Sequence, residues 1–345
     1  MAERADVVVI GGGVMGLATA RALATAGREP VVLERFTVGH PYGSSHGSAR
    51  IFRLAYTDPA FVRMGREARV LWAELEEERG EQLLAPTPAV SIGTTLDALE
   101  QAMRAGGATL HVASATAVRE RYPALRLAGV ERALLEPDAA VIAADRALAA
   151  LRASAEAHGA EIREPARVTA LRQGQDGVVV SVEGHSIEAG SAVVAAGSWG
   201  RMLLAGADID LPTWSTVETV GYFDGPAEVP ILLDWDDSVT TYMLPTSDGA
   251  LKAAEHIGGP TAAPDDPTPP DEAALGRVGR WLQTQVAGAR AQPTAAETCR
   301  YTMTDDEGFI LDRHDRIVVA SACSGHGFKF APLIGARAAS LAVSG

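Results

Sequence analysis

Residues 7–34 constrain this chain more than any other stretch. Val7-Val8-Val9-Ile10 is a short apolar run and Gly11-Gly12-Gly13-Val14-Met15-Gly16 a glycine turn. Residues 17–26 carry a helical pattern, and a second apolar run, 30–33, ends in Glu34. Strand, glycine turn, helix and strand in that order make a β-α-β dinucleotide-binding unit. Gly11 permits the tight turn, Gly13 lets the backbone approach a pyrophosphate, and Gly16 lets the helix pack against the strand. Val14 and Met15 belong to the turn and are expected cofactor contacts, and the N-terminus of the helix that follows offers free N–H groups and a partial positive charge to phosphates. Glu34 follows Gly16 by 18 residues, where a carboxylate accepts hydrogen bonds from ribose hydroxyls and disfavours a 2′-phosphate. A glycine pattern alone is a weak signal in a chain with 35 glycines; the strand, helix and acid around it make it specific.

The chain is long enough for two compact domains: 345 residues, 47% of them hydrophobic, can fill a large core. A formal charge of −14 argues against nucleic acid and anionic membrane surfaces as partners. No apolar stretch approaches the ~20 residues that span a bilayer. The first residues lack the basic region and cleavage site of a secretory signal, and Cys299 and Cys323 are too few for a disulfide framework. A cytoplasmic location is therefore expected, and no metal site.

Beyond Glu34, a loop rich in Gly, Ser, His and Pro covers 36–48 and leads to Arg50-Ile51-Phe52-Arg53. Asp58 caps and Pro59 opens a helix reaching about Gly80. Further helices are expected over 96–105, 114–121, 145–158 and 272–286, and from about Pro332 to the end. Strands are expected at 89–93, 166–172, 177–182, 185–189, 192–196 and 317–320. The alternating section 213–257 suggests an antiparallel sheet, and 258–271, with five prolines and three aspartates, a surface loop. There is no internal repeat. The first and last elements read as parts of one nucleotide-binding sheet with the alternating middle inserted in it, an interleaving typical of flavin enzymes. The expected fold class is mixed α/β. A Rossmann-type FAD-binding domain (1–82, 138–212 and 293–345) interleaves with an antiparallel-sheet substrate domain (83–137 and 213–292).

Four segments carry a more specific resemblance: Gly11 to Gly16; Gly43-Ser44-Ser45-His46-Gly47-Ser48-Ala49-Arg50-Ile51-Phe52-Arg53; Leu251-Lys252 with His256; and Cys299-Arg300-Tyr301-Thr302 continuing to Ser324-Gly325-His326-Gly327-Phe328-Lys329-Phe330. Together they resemble the monomeric sarcosine oxidase and N-methyltryptophan oxidase family. These are FAD-dependent amine oxidases that also include pipecolate and fructosyl-amino-acid oxidases. The resemblance covers nearly the whole chain, and its most specific part runs from Cys299 to Lys329.

In that family a cysteine at the place of Cys299 is joined through sulfur to the flavin ring, so the resemblance implies covalent FAD. A thiolate is a good nucleophile when cations lower its pKa, whereas a lone cysteine is more often buried and inert. Cys323, just before the glycine turn, is the rival and is read as core. The resemblance places Arg53 and Lys329 on the substrate carboxylate, two charge-assisted donors for one anion. It places Arg50 against the flavin ring and Lys252 above it, where an ammonium stabilises charge developing on oxygen. Without the resemblance, Arg50 and Arg53 read as two charges on one face of a surface helix. His46, Tyr242, His256 and Tyr301 match cavity positions; such residues otherwise often just fill cores. Arg35, Ser45, Val168, Ala196, Gly197, Trp199, Gly325, Gly327 and Phe328 complete the implied cofactor contacts. The helix opened by Pro332 would point its positive end at the flavin. Ala49, Leu233 (near a cavity position often held by a longer thioether) and the proline-rich loop depart from the family pattern and bear on substrate identity.

The implied reaction is oxidation of a secondary amino acid, N-methylated or cyclic. A hydride leaves the carbon next to nitrogen for the flavin, the imine is open to hydrolysis, and O2 leaves as hydrogen peroxide. No dedicated strong base is evident, and His256 or Tyr242 is left to tune amine protonation. The expected partners are a small-molecule amino acid and O2, and the expected state is a monomer. The alternative is an FAD-dependent amino acid dehydrogenase, or imine-forming biosynthetic enzyme, that passes electrons to a partner; Lys252 speaks against it. A nucleotide-binding module without redox chemistry would carry no flavin. One compositional fact joins the argument. Of 30 basic residues only Lys252 and Lys329 are lysine, and both fall where the resemblance places a functional ammonium, a point charge that arginine's planar fork does not reproduce.

Overall fold

The computed structural model describes residues 3–174, 176–236 and 239–344. Strand Glu3–Ile10, helix Val14–Thr25 and strand Val31–Leu33 follow one another as the glycine pattern requires. Glu3–Ile10 lies parallel between Val31–Leu33 and His185–Val194. Glu161–Arg163 extends the parallel array on one side and Ile317–Ser321 on the other, so five strands from distant parts of the chain form one sheet. Val168–Gln173, Val178–Val182 and Ile310–His314 complete it with antiparallel pairings. His185–Val194 was expected as two pieces, 185–189 and 192–196. It is one strand that changes partner along one edge: its first half pairs with Val178–Val182, its last residues with Ile317–Ser321.

Helix Pro59–Arg79 has the ends its sequence dictates. The Asp58 carboxylate accepts the Ala60 N–H at 2.7 Å, Pro59 opens the first turn, and Gly80 closes the helix in the left-handed conformation at φ 61°. No described helix is long and apolar enough to cross a membrane.

The second sheet has eight strands in the order Pro293–Met303, Trp214–Phe223, Leu251–His256, Thr240–Pro245, Ile231–Trp235, Ala89–Gly93, Arg132–Glu136, His111–Ser114. All its pairings are antiparallel except that of Ile231–Trp235 with Ala89–Gly93. Pro293–Met303, grouped by sequence with the FAD-binding segments, is the edge strand of this sheet and pairs with the length of Trp214–Phe223. Arg132–Glu136 and His111–Ser114 come from a stretch where no strand was expected.

A small third sheet joins Ala49–Phe52, Ala140–Ala143 and Leu84–Pro86. It corrects the helical reading of Arg50 and Arg53. The segment is extended, held on Ala140–Ala143 by ladder hydrogen bonds, and its side chains alternate between faces.

Candidate active site

Residues of both large sheets line one cavity, which reaches from the glycine turn to Lys329. Its fit to a dinucleotide can be read from the backbone. A Cβ on Gly11 would lie 2.5 Å from the Ala195 carbonyl oxygen, and one on Gly16 only 1.8 Å from that of Gly11. Gly11 also has a φ of 107°, which only glycine adopts without strain. The helix at Val14 has no acidic residue in its first turn, and Gly13 at its cap brings no side chain, which leaves room for a phosphate.

Glu34 is buried against this turn. Its carboxylate accepts the Gly12 N–H at 2.6 Å and the Phe36 N–H at 2.8 Å, and His40 Nε2 lies 3.4 Å away. Burial pushes its pKa up, but hydrogen bonds from His40, Phe36 and Gly12 outweigh burial and hold it below the usual value. The site therefore keeps an ionised acceptor for hydroxyls. Val14, Met15, Arg35, Ser45, Val168 and the turn Ala196, Gly197, Trp199 line the cavity, as do Gly325, Gly327 and Phe328. The residues present fit FAD. The proline-rich loop 258–271 closes on this part: Asp265 Oδ1 accepts from Arg35 Nη1 and Trp199 Nε1, both at 2.8 Å, and Arg300 donates to the Ala263 carbonyl at 2.9 Å.

One region of the cavity centres on Lys252, which is 3% exposed. Its Nζ donates to Glu297 Oε1 at 3.0 Å, and the Tyr222 hydroxyl donates to the same oxygen at 2.8 Å. Burial, then the neighbouring Arg50 charge, bring the Lys252 pKa down to about 8 against the pull of Glu297. The Arg50 guanidinium donates to the carbonyls of Ala49 (2.9 Å), Ser44 (3.0 Å) and His46 (2.6 Å) and lies 5.7 Å from the Phe328 ring centre. Cys299 Sγ sits 3.9 Å from Arg50 Nη2 and 4.0 Å from the Ser44 carbonyl. Burial raises its thiol pKa, and Arg50 and Lys252 offset this in part. Cys323, read from sequence as core, is half-buried and also lines the cavity, 3.8 Å from Ser44 Oγ. His46 is not among the lining residues. It packs behind the wall with Nδ1 3.8 Å from Glu297 Oε2, and burial brings its pKa down to about 4.

The other region holds Arg53 and Lys329, 8% and 4% exposed. The Arg53 guanidinium carbon lies 4.4 Å from the Tyr56 ring centre and 4.8 Å from that of Trp235. Lys329 Nζ donates to the Tyr56 hydroxyl oxygen at 2.9 Å and to the His326 carbonyl at 3.0 Å. Among the described residues, neither cation has a carboxylate within ion-pair distance. Burial and Arg53 push the Lys329 pKa well down. Tyr56 was not singled out in the sequence, yet it touches both cations. Its hydroxyl lies 3.2 Å from His326 Nδ1, while His326 Nε2 lies 2.9 Å from the Glu307 carbonyl. A carbonyl only accepts, so Nε2 carries the proton and Tyr56 donates to Nδ1. Tyr56 then accepts from Lys329 and fixes its direction.

Tyr242, His256 and Tyr301 stand on the second sheet between these regions and line the cavity, the His256 and Tyr301 rings 5.7 Å apart. Burial, then the charges of Arg53 and Lys329, bring the His256 pKa down to about 3; burial raises that of Tyr242 to about 12. His256 is thus neutral and weakly basic, and Tyr242 keeps its proton. Glu297 and Tyr222 also went unnoticed in the sequence. For Glu297 a signal existed: it alternates with Cys299 and Tyr301 along one strand face.

The family model described as FAD dependent oxidoreductase matches residues 6–341. The chain is 33% identical to the peroxisomal sarcosine oxidase of Mus musculus, over 96% of this chain and 90% of that protein. It is 30% identical to the monomeric sarcosine oxidase of Bacillus sp. (strain NS-129), over 100% of this chain and 94% of that one. Among solved structures, NikD, an unusual amino acid oxidase essential for nikkomycin biosynthesis, matches with a TM-score of 0.90 at 27% identity, over 99% of this chain and 95% of NikD.

Proposed function

The chain belongs to the FAD-dependent oxidoreductase family, among its sarcosine oxidase-like amine oxidoreductases, and from that premise we propose that it oxidises a secondary amino acid, N-methylated or cyclic, with O2 as acceptor and hydrogen peroxide as product. The observation that carries this reading is the pair of buried cations, Arg53 and Lys329, with no carboxylate within ion-pair distance among the described residues, in the same cavity as a third buried cation, Lys252. Relatives named for sarcosine and for N-methyl-L-tryptophan support an N-alkyl amino acid.

Bound FAD supplies the hydride acceptor and, once reduced, the electron donor to O2. Arg53 and Lys329 hold the substrate carboxylate by charge-assisted hydrogen bonds. Their charge, with the buried wall of Tyr242, His256 and Tyr301, disfavours a further cation, so the amine sheds its proton on entering. No side chain need act as a strong base, which suits the neutral His256. Lys252 places an ammonium where charge develops on oxygen. Cys299 is the proposed attachment point for the flavin; its sulfur lies beside Arg50, whose charge favours the thiolate. Monomeric action in the cytoplasm completes the proposal.

Acid precipitation of the purified protein tests the cofactor: a yellow pellet means covalent flavin, a yellow supernatant free flavin, and a colourless protein contradicts the proposal. Cys299→Ser should move the colour from pellet to supernatant. A peroxide-coupled screen over sarcosine, proline, pipecolate and larger N-methyl amino acids tests the substrate class. Turnover confined to primary amino acids would overturn it.

A further inference from the structure

We propose that Glu297 is a positioning residue for the oxygen half of this reaction: its carboxylate holds the Lys252 ammonium in place and keeps it charged. The proposal rests on the oxygen role of Lys252 given above. Three neighbouring strands build the arrangement. In the ladder Lys252 stands opposite Tyr222, and Glu297 stands opposite Val220, two residues along the same strand. Glu297 is therefore diagonal to Lys252 across Tyr222, within reach of both long side chains. One carboxylate oxygen takes both donors, Lys252 Nζ at 3.0 Å and Tyr222 Oη at 2.8 Å, and the ammonium lies 5.4 Å from the Tyr222 ring centre. The loop above is closed down on them. A Cβ on Gly47 would lie 3.1 Å from Glu297 Oε1 and 3.4 Å from Lys252 Nζ, and Gly47 has a φ of 95°.

The groups around Lys252 pull in opposite directions. Burial and the permanent charge of Arg50 disfavour the ammonium; Glu297 favours it. His46 and the carboxylate of Asp145 also sense the Lys252 charge. Among the described residues, Glu297 supplies the only carboxylate within ion-pair distance of Lys252. Removing that charge while keeping its shape leaves burial and Arg50 unopposed, and Lys252 then loses its proton at lower pH. An ammonium stabilises charge on oxygen and a neutral amine does not. With Lys252 titrating at about 8, reoxidation is fast below that pH and slows above it, and Glu297→Gln moves this limb towards acid.

The chain has only two lysines, so holoenzyme carrying 13C at lysine Cε gives two resonances, and Lys252→Met identifies which is which. Both are titrated in wild type and Glu297→Gln. In parallel, photoreduced holoenzyme is mixed with O2 across the same pH range, which requires no amine substrate. The expected result is that Glu297→Gln moves the Lys252 titration and the reoxidation limb together by one unit or more, slowing reoxidation at pH 8 about fivefold or more. The Lys329 resonance stays where it was and reports an intact fold. Tyr222→Phe, which leaves that carboxylate oxygen to Lys252 alone, moves the titration slightly upward, and reads the same contact should the glutamine variant not fold. If Lys252→Met reoxidises like wild type, the oxygen role of Lys252 is wrong and this inference falls with it. If Lys252→Met is slow but Lys252 titrates in Glu297→Gln as in wild type, this inference alone is overturned. A downward or absent shift in Tyr222→Phe also counts against it.

Discussion

The cavity keeps its two lysines in opposite company. Lys252 shares a carboxylate oxygen with Tyr222 and has its counter-charge built in. Among the described residues, Lys329 and its neighbour Arg53 have no carboxylate within ion-pair distance; aromatic rings and carbonyl or hydroxyl oxygens touch them. The buried Glu136 carboxyl whose charge they sense accepts from the Leu54 N–H and is pushed up to about 7 by burial. Burying a cation without an ion-pair partner is costly, and on the proposed function these two are kept together for an anion that arrives from outside. A cation with a resident anion is satisfied, and what it contributes is a fixed position and charge. In the proposed function the first region is a fixture and the second a receptor.

Substitutions should separate the two regions. The largest effect is expected at the receptor. Arg53→Met or Lys329→Met removes a hydrogen bond to a charged group worth about 1.5–3 kcal/mol, which raises the substrate KM roughly 10- to 100-fold, while reoxidation of the reduced flavin by O2 stays at the wild-type rate. Equal losses in both would break the division. Next come the exchanges that keep charge and change shape. Lys252→Arg and Lys329→Arg should each cost about tenfold, in reoxidation and in KM respectively, because a planar fork cannot occupy the place of a point charge shared between close acceptors. Near-normal steady-state and O2 kinetics in either variant would make the lysine count a coincidence. The smallest effect is expected for Tyr56→Phe. Losing one neutral hydrogen bond of about 0.5–1.5 kcal/mol should raise KM two- to tenfold, without changing the O2 reaction, as Lys329 loses its orientation.

What the sequence disclosed follows the range of the interactions. The glycine turn was legible because its constraint is local: Gly16 must lie against Gly11, five residues away. The Asp58 cap and Gly80 stop were legible for the same reason. Arg50 and Arg53 were ambiguous, since a spacing of three fits a helix face until the ladder with Ala140–Ala143 decides otherwise. Pro293–Met303 could not be allotted to the second sheet, because its partner strand begins some eighty residues earlier. Strand His185–Val194 looked broken at Gly190, where the missing side chain lets the chain pass close to the Asp6 carbonyl. In the cavity, lysines and arginines stood out by type and by resemblance. Tyr222 and Glu297 did not, since their roles come from neighbours across strands rather than along them, and Tyr56 did not, since it meets His326 and Lys329 from the far end of the chain. Only the alternation of Glu297, Cys299 and Tyr301 placed one of them on a functional face.

The central claim, one cavity with a fixed cation for oxygen and a receptor for the substrate carboxylate, is tested most directly by measuring both half-reactions in Lys252→Met and Lys329→Met by rapid mixing. The account predicts a crossed result: Lys252→Met slows reoxidation by O2 on the order of 10²-fold and leaves reduction by the amine near wild type, whereas Lys329→Met weakens reduction and leaves reoxidation unchanged. If either variant changes both half-reactions equally, the division of the cavity is wrong.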